Sequence, residues 1–180
     1  YLQPYAESKA MGEVALREAC CDELMTCAVA PHQVYGPRDN LFLPNLLEAA
    51  GTGRLRVFGD GLNRICFTHV DNYAHGLIIA ERALHAGSPA LGRFFIVTDG
   101  ESHPDPRGCA LLWRELDTAT VAMGFPSLRA KTHLPTWLLF AVAYVAEVGG
   151  FRLVAPRQLN VCTVRVLTMH SWFSSAGDKG

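Results

Sequence analysis

No apolar run in these 180 residues approaches the about 20 that a membrane-spanning helix needs. Lysine is scarce, at Lys9, Lys131 and Lys179 only, and no basic block forms. Sixteen Lys and Arg stand against seventeen Asp and Glu, a net charge of −1, which excludes the electrostatic footprint of a nucleic-acid binder. The six cysteines include no C-x-x-C or other metal-ligand spacing. Cys20 and Cys21 are adjacent, and Cys27 and Cys66 lie in apolar, strand-like runs, so buried reduced thiols and a cytosolic redox setting are expected. No glycine run opens a helix, so a phosphate cradle is missing from the sequence. Repeats and low-complexity tracts are also lacking. No signal peptide is visible, but the true amino terminus is expected to lie before Tyr1, so that absence excludes nothing.

What remains is 49% apolar and 18% charged, enough for one α/β domain with a real core. Its most informative feature is Pro4-Tyr5-Ala6-Glu7-Ser8-Lys9-Ala10. Tyr5 and Lys9 stand one helical turn apart on one face. An ammonium beside a phenol favours the phenolate, drawing a group of ordinary pKa about 10 toward working pH. Such a pair can move a proton on or off an alcohol or carbonyl oxygen, given a hydride acceptor beside it. A surface Tyr and Lys on an amphipathic helix explains the pair equally well when it is taken alone.

The helix should run from about Pro4 to Glu23, followed by a strand over Met25–Ala30 and a turn-rich loop, Pro31-His32-Gln33-Val34-Tyr35-Gly36-Pro37-Arg38-Asp39. At the carboxyl end of a parallel strand, such a loop is where open α/β sheets bind ligands; an ordinary connection reads the same way. Helix and strand then alternate. A helix is expected over Leu41–Ala50, ended by Gly51-Thr52-Gly53, with short strands at Arg56–Phe58 and Ile65–Val70 around the turn Gly59-Asp60-Gly61. Asp71 suits the N-cap of a helix through Ala83. Arg93–Val97 reads as a buried strand, His103–Gly108 as a Pro-broken loop and Leu111–Met123 as an amphipathic helix stopped by Gly124.

Three sets of polar residues invite a functional reading. His69, Asp71 and His75 are close in sequence, but a strand ending at His69 and a helix beginning at Asp71 give no chelating geometry. Arg64 could face a ligand phosphate or simply solvent. Trp137–Ala146 is apolar around its circumference, opened by Leu134-Pro135 and closed by Glu147 and Gly149-Gly150. It fits a buried core helix or one dipping into a bilayer interface, with Trp137, Tyr144 and the snorkelling Arg152 of Phe151–Val154 at the boundary.

Taken in order, these segments resemble the extended short-chain dehydrogenases, and within them the 3β-hydroxysteroid dehydrogenase/isomerase family with its sterol-4-carboxylate 3-dehydrogenase branch. Tyr5-Ala6-Glu7-Ser8-Lys9 matches the family's Tyr-x-x-x-Lys, and Pro31–Pro37 is similar to its nicotinamide-lining loop. Phe58–Gly61, Phe67–Gly76 and Gly92–Gly100 resemble the following turn, strand, helix and strand. Leu134–Trp137 and His170–Ser174 are similar to the sterol branch near its carboxyl end, and the likeness runs collinearly from Tyr5 to about Lys179.

The resemblance implies a Rossmann-like α/β fold. Here it would comprise the back half of a doubly wound sheet plus carboxyl-terminal helices: 1–100 the cofactor side with the Tyr/Lys helix, 101–180 the substrate side. It implies that Tyr5 takes the proton of a 3β-hydroxyl while hydride passes to NAD or NADP. Lys9 would lower the Tyr5 pKa and bind the nicotinamide ribose, and Pro31 and Val34 would contact the nicotinamide. It further implies a steroid or sterol substrate, permits a homodimer through the Tyr/Lys helix, and points to association with the endoplasmic reticulum membrane, active site toward the cytosol, or else a cytoplasmic location. The family's Gly-rich loop and its active-site Ser or Thr have no counterpart here, and Ala30 replaces a frequent Arg. These 180 residues alone are therefore expected to be inactive. Two alternatives stay open: a nucleotide-sugar epimerase or dehydratase, against which the apolar carboxyl third speaks, and a non-catalytic truncated form.

Overall fold

The computed structural model describes residues 4–99, 110–148, 161–171 and 173. They fall into two compact units through which the chain weaves. One holds the described residues of Tyr1–Arg38, Cys66–Gly108 and Phe173–Gly180, the other those of Asp39–Ile65 and Cys109–Trp172.

The first unit is a layered α/β arrangement. Helix α1 (Pro4–Glu18) opens with proline where no amide partner is needed, carries Glu7 in its first turn and Arg17 in its last, and is rich in Ala and Glu. It ends short of the expected Glu23. Cys21 and Leu24 close a turn on each other's backbone at 3.0 and 3.1 Å, and Thr26 donates its amide to Cys20 Sγ, so the chain reverses before β1 (Ala28–Pro31). Inside the expected loop lies a second strand, β2 (Gln33–Tyr35), where the β-formers Val34 and Tyr35 outweigh the flanking turn residues. Strand β1 pairs in parallel with β5 (Phe94–Val97), Ala28 opposite Phe94 and Pro31 opposite Val97. Strand β2 pairs in parallel with β4 (Phe67–His69), Val34 opposite Thr68.

Helix α3 (Val70–Arg82) packs on β1, β2, β4 and β5. Gly76 permits the approach, because a Cβ there would lie 2.8 Å from Val97 Cγ2. The cap of α3 is not Asp71, as expected, but His69, whose Nδ1 accepts the Asp71 amide at 3.3 Å. Asp71 instead places its negative charge in the first turn. Strand β5 also departs from expectation: Phe94, Phe95 and Ile96 are each about two-fifths exposed rather than buried.

In the second unit the carboxylate of Asp39 gathers the amides of Leu41, Phe42 and Leu43 at 2.9 Å each, setting the start of α2 (Leu43–Gly51). Strand β3 (Arg64–Ile65) runs antiparallel to β6 (Ala110–Leu111). The expected single strand over Ile65–Val70 is thus broken at Cys66 into β3 and β4, which belong to different sheets. The expected strand at Arg56–Phe58 is reduced to one bridge between Phe58 and Leu134. Helix α4 (Leu112–Ala122) buries Leu112, Trp113 and Leu116 and stops at Gly124, whose φ of +87° suits only glycine without strain. Helices α5 (Thr136–Val148) and α6 (Val161–Thr168) pack through Leu139, Ala143 and Val164, with Phe58, Leu134, Phe140 and Val161 around them.

No disulfide occurs among the described cysteines, but only Cys66 is fully buried; Cys21 is exposed and Cys20, Cys27 and Cys162 are half-buried. Among the described cysteines the general expectation of buried thiols therefore holds for Cys66 alone, since the turn after α1 leaves Cys21 facing solvent. His103–Gly108, Gly149-Gly150 and Phe151–Val154 lie outside the described residues.

Candidate functional site

The expected site residues all fall in the first unit. Tyr5 and Lys9 project from the first turns of α1, and Lys9 Nζ lies 5.4 Å from the centre of the Tyr5 ring. Tyr5 is 68% exposed and Lys9 is exposed, so both polar ends are open to a ligand. Ser8, between them, spends its hydroxyl on the Tyr5 carbonyl at 2.8 Å, which tightens the turn that carries the pair.

Helix α1 lies against β1, the strand that ends in Pro31. Pro31 and Val34 are both half-buried, one closing β1 and the other at the centre of β2. Between them, His32 is fixed on two sides. Its amide donates to Thr68 Oγ1 at 3.1 Å, and its Nδ1–H donates to the Cys66 carbonyl at 2.7 Å. Burial pushes the His32 pKa down, opposed by the bond to Cys66, so the ring is neutral. Thr68 is fully buried and hands its own proton to the Val97 carbonyl at 2.8 Å. One threonine hydroxyl thus joins the end of β5 to the loop after β1.

Past β2 the chain turns out at Gly36, with φ +129°. A Cβ at that position would lie 2.9 Å from His69 Nε2 and from Val70 Cγ1, so the loop rests directly on the junction of β4 and α3. Close beneath it, Tyr35 donates its hydroxyl to Asp99 Oδ2 at 2.9 Å. Burial first, then the hydrogen bond and charge of Asp99, push the Tyr35 phenol up to about 12. Sequence reasoning missed Thr68 and Asp99. The available signal for Asp99 was a carboxylate shortly after an apolar strand, at the strand end where α/β sheets present ligand-facing groups.

The other residues singled out from the sequence do not form the clusters their spacing invites. His69 ends β4 while Asp71 and His75 sit on α3, and no cluster of three metal-ligating side chains occurs among the described residues. Arg64 opens β3 in the second unit. Its backbone amide donates to His170 Nδ1 at 3.2 Å and its carbonyl accepts the Ser171 amide at 2.8 Å, anchoring part of the segment that resembled the sterol branch. Trp172 and Ser174 of that segment lie outside the described residues.

Comparison with known proteins agrees with this architecture. The chain is 30% identical over 186 residues to an Arabidopsis thaliana protein named 3beta-hydroxysteroid-dehydrogenase/decarboxylase isoform 1, covering 97% of this chain and 40% of the relative. It is 34% identical over 137 residues to the Homo sapiens protein named sterol-4-alpha-carboxylate 3-dehydrogenase, decarboxylating, covering 74% of this chain and 34% of that one. The chain therefore spans between a third and two-fifths of these relatives' lengths. Among solved structures, the crystallised protein gox2253 superposes with a TM-score of 0.53 at 19% identity, covering 82% of this chain and 40% of its own. MoeE5 in complex with UDP-glucuronic acid and NAD gives a TM-score of 0.50 at 20% identity, over 93% and 56%. At those identities the two structures speak for the fold alone, which is the Rossmann-like α/β class. Residues 1–123 match the model of the 3-beta hydroxysteroid dehydrogenase/isomerase family, and this chain belongs to that family.

Proposed function

We propose that the protein carrying this chain oxidises the 3β-hydroxyl of a steroid or sterol to the ketone with NAD or NADP. Tyr5, acting as the base with the Lys9 ammonium beside it, would take the hydroxyl proton; a bound nicotinamide would supply the acceptor for the C3 hydride, and Lys9 would hold its ribose. Pro31 and Val34 line the nicotinamide. The observation that carries the reading is an exposed Tyr5 and Lys9, one turn apart, inside the segment matched by the family model. The donor set fits the ribose end of a dinucleotide, since a phenol and an ammonium with three N–H groups can both bond hydroxyls. No glycine-rich cradle for the pyrophosphate occurs in the sequence, so the isolated chain is inactive in this reading. Residues 1–100 serve the cofactor side and 101–180 the substrate side.

The test is NAD(P)H formation from a 3β-hydroxysterol by the whole polypeptide that carries this chain. Tyr5→Phe and Lys9→Met should each lower kcat by about 10²- to 10⁴-fold, the usual weight of a positioned acid/base. Unchanged turnover in both variants sinks the assignment. Epimerisation of a uridine-diphosphate sugar with no sterol oxidation would replace it with the sugar reading.

In the same reading the substrate-side helices touch a membrane surface. Among the described residues no helix is long and apolar enough to cross a bilayer. Support comes instead from α5, where Trp137, Val142, Tyr144 and Val145 are exposed on a helix that is apolar throughout. An insoluble sterol would then enter from the lipid side, placing the protein at the endoplasmic reticulum membrane.

A further inference from the structure

Asp99 follows β5 and holds two strands by their carboxyl ends and a helix by its first turn. Its Oδ2 accepts the Tyr35 hydroxyl at 2.9 Å, from the last residue of β2. Its Oδ1 accepts the His69 amide at 2.7 Å, from the end of β4, and Asn72 Nδ2 at 2.8 Å, from the first turn of α3. Its own amide donates to the Phe67 carbonyl at 2.9 Å, at the start of β4. The Tyr35 ring stands edge-on to Phe67 and His69, with centroids 5.8 and 5.2 Å away, so the phenol is guided to the carboxylate by packing on both sides. Gly36 comes next in the chain and rests on His69 and Val70, two of the residues at the junction Asp99 ties down.

We propose that Asp99 is a positioning residue for the strand-end segment Pro31–Gly36, fixing its height over β4 so that Pro31 and Val34 meet the nicotinamide. The role rests on the cofactor reading given above. It needs a carboxylate, because a charged acceptor holds an amide, a phenol and a side-chain amide at once, and bonds to a charged group are the strong ones. It also needs a phenol that stays protonated. The raised pKa of Tyr35 meets that need, keeping the donor intact through the physiological range. Pro31 and Val34 are connected to the brace by short paths: Val34 precedes Tyr35 in β2, and Pro31 pairs with Val97, two residues before Asp99.

The experiment uses the whole polypeptide that carries this chain, with Asp99→Asn, Tyr35→Phe and the double variant, each titrated calorimetrically with NAD+ and with ADP-ribose, which lacks the nicotinamide. The Asp99→Asn change keeps the side-chain shape and an acceptor oxygen toward His69 and Asn72 but loses the charge. Tyr35→Phe removes one hydroxyl and serves should Asp99→Asn fail to fold. Each single variant should weaken NAD+ by about tenfold and leave ADP-ribose within about twofold, since the segment faces only the nicotinamide end. The double variant should bind NAD+ no worse than the weaker single one, because both remove the same bond. Equal losses for NAD+ and ADP-ribose, or no loss for NAD+, overturn the role. A wild-type protein that binds ADP-ribose but gains nothing from the nicotinamide overturns the cofactor reading at this segment and the role with it.

Discussion

His32 shows how one side chain connects strand geometry to solution behaviour. Its pKa is lowered chiefly by burial, with the bond to the Cys66 carbonyl pulling the other way. Below its ordinary pKa of about 6.5 the unfolded chain takes up a proton that the folded ring resists, so stability falls as pH falls through that range. The melting midpoint should therefore drop between about pH 7 and pH 5. His32→Asn, which keeps a donor for Cys66 without a titrating ring, should flatten that limb in circular-dichroism melts. An unchanged limb would mean the ring is not held neutral. At this scale the sequence disclosed what is local. Tyr5 and Lys9 are one turn apart in any helix, so their juxtaposition could be read directly. Asp99 could not be read, because its partners lie 27, 30 and 64 positions away and nothing in the neighbouring residues names them. Asp71 reads as a cap from the sequence for a related reason: nothing local reveals that a histidine ring two residues earlier takes up its amide.

Among the elements, α5 exposes five large apolar residues: Trp137, Leu138, Val142, Tyr144 and Val145. Leu139 and Ala143 are buried against α6, while Trp137 is 72% and Val145 63% exposed. The helix is about 20 Å long at about 1.5 Å per residue, suited to lying in a bilayer interface rather than crossing it. The protein should float with phosphatidylcholine vesicles that contain an anionic lipid. Trp137→Glu with Val145→Glu should reduce the bound fraction at least about tenfold without altering the melting midpoint. Co-flotation unaffected by both changes would exclude α5 as the contact. Local pattern located these helices, an apolar stripe for α2 and α4 and a continuous apolar run for α5: all three lie within two residues of their expected starts and stops. It located strands less well. The run Ile65–Val70 is uniform enough for one strand, and only pairing partners far along the chain, β6 for one half and β2 for the other, divide it at Cys66.

On the scale of the molecule, the chain passes between its two units at residues 38–39 and 65–66, and again between the described residues 99 and 110 and between 171 and 173. A polypeptide ended at Asp99 would keep β3 but lose β6, its antiparallel partner, and with it α4 and the Leu112, Trp113 and Leu116 core. Such a fragment should lose cooperative thermal unfolding and bind a hydrophobic dye, whereas a chain of full length should melt in a single step or two resolved ones. A fragment that melts cooperatively would show that the first unit stands without the second. Composition announced an α/β protein, and the collinear segments announced its family. The interleaving was hidden, since it arises from pairings that leap over the intervening unit.

Strand β1 has its partner β5 sixty-six positions later, Ala28 opposite Phe94. At a synthesis rate of about 5–20 residues per second, roughly 3–13 seconds pass between the emergence of one and the other from a ribosome. Throughout that interval the side of Ala28–Pro31 that pairs with β5 lacks that partner, beside a nascent chain still being made. Biosynthesis of this protein thus leaves a timed opening for a holdase-type chaperone, and slowing translation after residue 31 would lengthen it.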